Sequence, residues 1–435
     1  MRAFVVALPL SLASLAFALP ASRTLHRTDP PSSDWLQLLP DGPVKRQFII
    51  DCTGCHQFDS RMARRFGRTR TEAEWREAIE RMLGFAGPAS GFPVISAAQH
   101  PDSTAAWLVR SLGNRSLERR DPPADPRVTE YLFPVAQDLP HDVAVDSTGR
   151  VIVTGMFSDA MYVLDPESAQ FTRIEVPVPQ ANPRAVEIDR EGRWWVVLGN
   201  PQQLARFDGV NWTTFDVGVY AHSVALDSAG GAWVNGHFTR QPELLVRIDR
   251  QGSAERVSLP DHPALAAGPG GPVPYELRTA PDGRIWMSEL QGNRMIVYDP
   301  GTRESRVFDM PGIASGPRRF DVAPDGTVWI PAYGAGSLVR LDPVTGTFRE
   351  FELPVRDAAP YVARVDADGG VWIGTGAADA LFRYDPATDR FETFPLPTPG
   401  SVVRHIAIDR RTGDVWLAYG ESPGKAPARI ARFRR

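Results

Sequence analysis

From Val128 to Arg435 the chain alternates apolar and polar residues in short stretches, each closed by a turn. Residues that alternate in this way put one face of a strand into a core and the other toward water. The turns are alike. Ala280-Pro281-Asp282-Gly283-Arg284-Ile285-Trp286 returns as Ala323-Pro324-Asp325-Gly326-Thr327-Val328-Trp329 and as Asp366-Ala367-Asp368-Gly369-Gly370-Val371-Trp372. Weaker copies set the turn glycine at Gly149, Gly192, Gly230 and Gly413. An Asp-Gly turn between two alternating stretches predicts a hairpin, and a repeat of roughly 40–50 residues is the length of a propeller blade. A third strand recurs in every copy, as in Leu204-Ala205-Arg206-Phe207 and Leu338-Val339-Arg340-Leu341. An outer strand follows in all copies but the last, which stops at Arg435. Val128-Thr129-Glu130-Tyr131-Leu132-Phe133-Pro134 carries the outer-strand pattern ahead of the first inner strand. The expectation is a mainly β fold, a seven-bladed β-propeller over 128–435 whose N-terminal outer strand completes the last blade and closes the ring.

Before Val128 the apolar spacing is helical. Thr71-Glu72-Ala73-Glu74 has the spacing of a capping box, and Trp75, Ala78, Ile79 and Met82 follow on one face. A closing helix is predicted from about Ser103 to Leu112. Residues 45–114 thus read as a small all-α domain, 22–44 as a flexible Pro-rich leader and 115–127 as a charged, Pro-rich linker. The first 21 residues have a basic start, a short apolar run and small residues at Ala16, Ala18 and Ala21, which predicts a signal peptide. The run is too short and too interrupted for a span, so no transmembrane segment is expected after cleavage and the destination is periplasmic or otherwise exported. A net charge of −4 gives no reason to expect nucleic acid.

Candidate chemistry changes the picture of the helical part. Cys52-Thr53-Gly54-Cys55-His56 is Cys-x-x-Cys-His, the attachment sequence of a c-type haem, and the chain has no other cysteine. Two thiols at this spacing can take the two vinyl groups of one porphyrin, and the adjoining imidazole can ligate the iron. The expectation is a cytochrome c-like domain with one covalent haem c, Cys52 and Cys55 as anchors and His56 as proximal iron ligand. Met82 is the favoured distal ligand, with Met62 and His100 as alternatives. Such a protein passes single electrons to a periplasmic redox partner.

In the propeller the inner strands begin at His141, Arg184, His222, Tyr275, Arg318, Tyr361 and Arg404. The repeat brings these to one end of the central channel, as a cationic funnel suited to a small polar or anionic ligand. The Trp of the second strands (Trp195, Trp233, Trp286, Trp329, Trp372, Trp416) recurs too regularly for a site and reads as packing between blades. Glu289 stands where the other blades have no acid, and is a candidate metal ligand, base or salt-bridge partner; His237 belongs to the same end.

Pro274-Tyr275-Glu276-Leu277, with Trp286-Met287-Ser288-Glu289 and Gly292-Asn293-Arg294 behind it, resembles virginiamycin B lyase, the streptogramin lyase family. That resemblance implies a seven-bladed propeller and metal-assisted elimination that opens a cyclic peptide antibiotic. It implies magnesium at Glu289 and a site histidine at His222; a lyase built on this chain would use His222, Glu289 and, in the place of the family's second histidine, Tyr275. Where the family has Glu-x-His, this chain has Val273 and Tyr275, and a phenol of ordinary pKa near ~10 is a poor base at neutral pH. A second resemblance runs through Ala407-Ile408-Asp409-Arg410-Arg411-Thr412-Gly413-Asp414-Val415-Trp416, similar to the docking motif of pyrroloquinoline-quinone propellers, and implies a quinohaemoprotein-like dehydrogenase. The sequence therefore leaves three readings: a haem c electron carrier with a binding propeller, a metal-dependent lyase or periplasmic oxidoreductase, and an interaction propeller without chemistry of its own.

Overall fold

The computed structural model describes residues 28–120, 125–238, 243–263, 271–421 and 428–435. The signal-peptide expectation lies outside these. Seven antiparallel sheets of four strands each run inside to outside, and the fourth strand of the last sheet comes from the front of the chain. Val128–Leu132 pairs with Arg429–Phe433 in a register from Val128↔Phe433 to Leu132↔Arg429. The expected closure is what is found. The last blade thereby has the same four strands as the other six, and the ring closes between the two ends of the propeller sequence.

The blades hold together through their faces. Trp372 meets Phe394 of its own blade and Phe433 of the next at ring centroids 5.5 and 5.2 Å apart. Trp195, Trp233 and Trp372 each donate their indole N–H to the turn aspartate of the same blade, Asp189, Asp227 and Asp366. The recurring arginine of the third strand lies over the same ring, as Arg206 over Trp195 at 5.2 Å and Arg432 over Trp416 at 5.4 Å. One repeated set of residues thus fixes turn, second strand and third strand together.

Helices α1 (Ser32–Leu36), α2 (Pro43–Cys52), α3 (Ser60–Ala63), α4 (Glu72–Ala86) and α5 (Pro101–Leu112) precede the propeller. The capping box of α4 is present in both directions between Thr71 and Glu74. The leader expectation needs correction over its described part. Trp35, Leu36 and Leu39 are buried in one apolar cluster with Phe48, Phe58, Trp75 and Leu108, so burial orders residues that their Pro-rich setting alone would leave loose. That cluster does not stop at the helices. It continues into Val273, Tyr275, Tyr333, Tyr361 and Val402 of the propeller, so helices and blades share a core.

Candidate functional site

The seven ring positions converge as the repeat requires. In several blades the register slips at this point, between Pro140 and Val143, Pro183 and Ala185, Pro274 and Leu277, Pro360 and Val362, and Val403 and His405. A bulge of this kind turns a side chain out of the ladder, here toward the channel axis. The phenols of Tyr275 and Tyr361 meet at 2.5 Å. Arg318 donates to Tyr275 at 3.2 Å and Arg404 to Tyr361 at 3.1 Å. His222 Nδ1 donates to the carbonyl of Tyr275 at 2.9 Å and His237 Nδ1 to that of Pro274 at 2.6 Å. His141 and His222 stand edge to face at 5.2 Å.

The ring is not an open funnel. All seven residues are buried, and segment 52–57 lies on two of them, Arg318 and Arg404. Arg404 donates through Nη1 to the carbonyl of Gly54 at 2.8 Å and through Nη2 to that of Cys55 at 2.7 Å. Thr53 Oγ1 and Tyr333 Oη are 2.8 Å apart. Gln57 donates to Asp379 at 2.9 Å, and Arg61 pairs with Glu421 at 2.6 Å. Gly54 leaves the Arg318 guanidinium its place, since a Cβ on it would stand 2.3 Å from Nη2. Helix α2 delivers this segment. Its Ile50 fits against Gly316 and Gly334, where a Cβ would come within 2.8 Å of its Cδ1. Lys45, one of two lysines in the chain, is buried against Asp357 at 2.6 Å. On the other side of the ring Arg184 lies over Phe92 at 5.4 Å, and Gln291 ties the loop there to Asp51 and to the carbonyl of Val94.

Electrostatics follow from this closure. Burial lowers His141 to about 3, against the hydrogen bond it donates to Asp142, and it lowers His222, His237 and His405 well below the ordinary range. Burial raises Tyr275. It would also raise Tyr361, but the guanidinium groups of Arg404 and Arg318 outweigh it and hold that phenol below its usual value. For the Cys52 thiol, burial together with the charges of Asp51 and Cys55 pushes the pKa up, opposite to the direction taken by a redox-active Cys-x-x-Cys. Both cysteines are free thiols, half-buried.

Glu289 takes the salt-bridge option that the sequence left open. Arg294 Nε donates to its Oε2 at 2.6 Å, and the same guanidinium reaches Glu243 at 3.3 Å. Burial raises both carboxyls, and for Glu243 the charge of Glu289 adds to it. Among the described residues no cluster of three or more His, Cys, Asp or Glu side chains could hold a metal ion. Of the distal candidates, Met62 packs against the cluster that holds Cys52, Met82 is half-buried on α4, and His100 is exposed at the N-terminal cap of α5.

Sequence reasoning missed the layer beneath the ring. Arg319 pairs with Asp142 at 2.7 Å, and Arg364 reaches both Glu276 and His405 Nε2 at 2.7 Å. Because His405 Nδ1 donates to Val143 O, its Nε2 is the acceptor. The signal was available: Asp142, Glu276, Arg319 and His405 each stand one place after a ring residue, at positions where a strand would ordinarily be apolar.

Residues 265–430 match the model of the virginiamycin B lyase family. The propeller part is virginiamycin B lyase-like. A streptogramin B lyase structure superposes with a TM-score of 0.62 at 17% identity, over 70% of this chain and 96% of that one. A catalytically inactive virginiamycin B lyase from Staphylococcus aureus, solved with quinupristin, gives 0.61 at 18% identity over 70% and 98%. YCF48 bound to D1 peptide gives 0.57 at 13% over 72% and 99%. Likeness at these identities fixes the fold and carries no chemistry across. No match was found among curated protein sequences.

Proposed function

We propose that the chain is an exported haem c electron-transfer protein whose lyase-like propeller seats the haem-bearing segment. One observation carries this reading: Cys-x-x-Cys-His, with both thiols free, lies on the propeller's polar ring, and Arg404 and Thr53 make the contact. The residues present suit the group. Two thiols on one turn adjoin an imidazole, beside an apolar cluster that includes Phe48, Phe58, Trp75 and Met62. A haem c bound there would supply one-electron transfer. Cys52 and Cys55 would anchor it, His56 would ligate its iron, and Met82 would be the favoured second ligand, with Met62 and His100 as alternatives. The chain's own part is to hold the segment still. Arg404 fixes two carbonyls of the motif, Arg318 fills the space beneath Gly54, and the shared apolar core keeps water from the joint. Visible spectra of the exported protein before and after dithionite test the reading, and correctly matured protein without c-type bands overturns it.

A lyase is the second reading, favoured by the family match over 265–430 and by His222 and Tyr275 standing together, with ring centroids 4.3 Å apart. It requires the helical cover to move, because His222, Tyr275 and Glu289 are all buried. Magnesium-dependent opening of a streptogramin, lost in Glu289→Ala and His222→Ala, would support it, and an inactive wild type removes it.

A further inference from the structure

Apart from the ring, the helical part carries a groove of about 430 Å³, lined in part by Trp35, Ser60, Arg61, Arg64, Phe66 and Leu117. Two of these residues present buried donors without an acceptor, Trp35 Nε1 and Arg64 Nη2. The Arg64 guanidinium lies over the Trp35 ring at 5.1 Å, so both donors belong to one stacked pair. Neighbouring arginines are spoken for: Arg61 pairs with Glu421, and Arg65 and Arg68 pair with Glu74. Among the described residues no carboxylate pairs with Arg64, and its Nη1 has only the carbonyl of Ala63 at 3.4 Å. Of the groove's two serines, Ser60 already donates to Asp29. Phe66 stands beside the pair at the turn of the short hairpin Arg64–Arg65/Arg68–Thr69, 90% exposed and with a positive φ of 50°. A bulky residue in that conformation is uncommon, and here it gives the groove an apolar lip. Buried donors left without partners are costly, and a cation over an aromatic face next to one suits an acceptor that is itself charged.

We infer that this groove binds a carboxylate- or phosphate-bearing group, whose oxygens are taken by Arg64 Nη2 and Trp35 Nε1. The group has two possible sources, a small solute or the propionates of a haem held at Cys52 and Cys55. The second source rests on the proposed function, and the first does not.

The test uses the full-length exported protein and the variants Arg64→Gln, Trp35→Phe and, as control, Arg65→Gln. Each is titrated calorimetrically with sodium benzoate and with inorganic phosphate, and its reduction potential is measured. A solute site shows saturable binding that falls about tenfold in Arg64→Gln, less in Trp35→Phe and not in Arg65→Gln. A propionate site shows no added anion bound, but a potential displaced in Arg64→Gln and Trp35→Phe and unmoved in Arg65→Gln. The inference is overturned if wild type binds neither anion and the potentials agree, or if Arg65→Gln behaves as Arg64→Gln does. A preparation without haem defeats the proposed function alone, since the calorimetry still decides the groove.

Discussion

Gly54 shows how closely single residues set the joint between helices and propeller. Arg318 occupies the place of its side chain, so Gly54→Ala must move either the guanidinium or the loop. Overpacking of this kind is expected to destabilise by about 1–3 kcal/mol, and Arg318→Ala should relieve much of it. A double-mutant cycle by urea unfolding checks this, with the two changes coupled rather than additive. The buried histidines give a second residue-scale prediction. His141, His222, His237 and His405 are held neutral in the fold, while in the unfolded chain each takes up a proton below its ordinary pKa of about 6.5. Their contribution to stability is complete above that pH and is lost as pH falls through it toward the folded value. Glu243 and Glu289 act in the opposite sense, since their raised carboxyls favour the fold most at low pH. The readout is therefore a difference in slope. Between pH 6 and 5, His222→Gln should lose stability less steeply than wild type, by up to about 1.4 kcal/mol per pH unit.

At the scale of elements, α2 is the part that makes the two halves one body. Its Ile50 fits the space left by Gly316 and Gly334, and Lys45 is buried against Asp357. Ile50→Ala is expected to cost about 2–4 kcal/mol through the cavity it leaves. Lys45→Ala removes the buried partner of the half-buried Asp357 carboxylate and is expected to cost about 1–3 kcal/mol, whereas Lys45→Met, which keeps the packing of the stem, should be milder. Thermal unfolding of the three variants checks the order. The strands were legible in the sequence because one face of each is buried and the turns repeat. Helix α4 was legible through its capping box and the spacing of Trp75 and Ile79. Helix α1 was not, because Trp35, Leu36 and Leu39 are ordered by a core built from residues far along the chain. The ring was placed correctly by counting from the turns. Its closure was not, since nothing local in Arg404 or Tyr333 says that residues 53–55 will lie on them.

The whole molecule is a closed ring with a helical cover seated on one end of its channel. Closure depends on Val128–Leu132 pairing with Arg429–Phe433. Deleting residues 428–435 would leave strands unpaired on both sides of the gap, and the product is expected to aggregate rather than unfold in one cooperative step. Scattering together with calorimetry of the truncated chain checks this. The channel below the ring is filled by paired charges, among them Arg319 with Asp142 and Arg364 with Glu276, so the polar ring and the Cys-x-x-Cys-His segment face each other across the joint. The central claim is that this segment carries a haem. The most direct measurement is the intact mass and reduced visible spectrum of the full chain exported from a host that matures c-type cytochromes. The account predicts one covalent haem per chain with c-type bands, retained after denaturation and lost in Cys52→Ala/Cys55→Ala. A chain of unmodified mass with no visible bands, from a host that loads a control cytochrome in parallel, would contradict it.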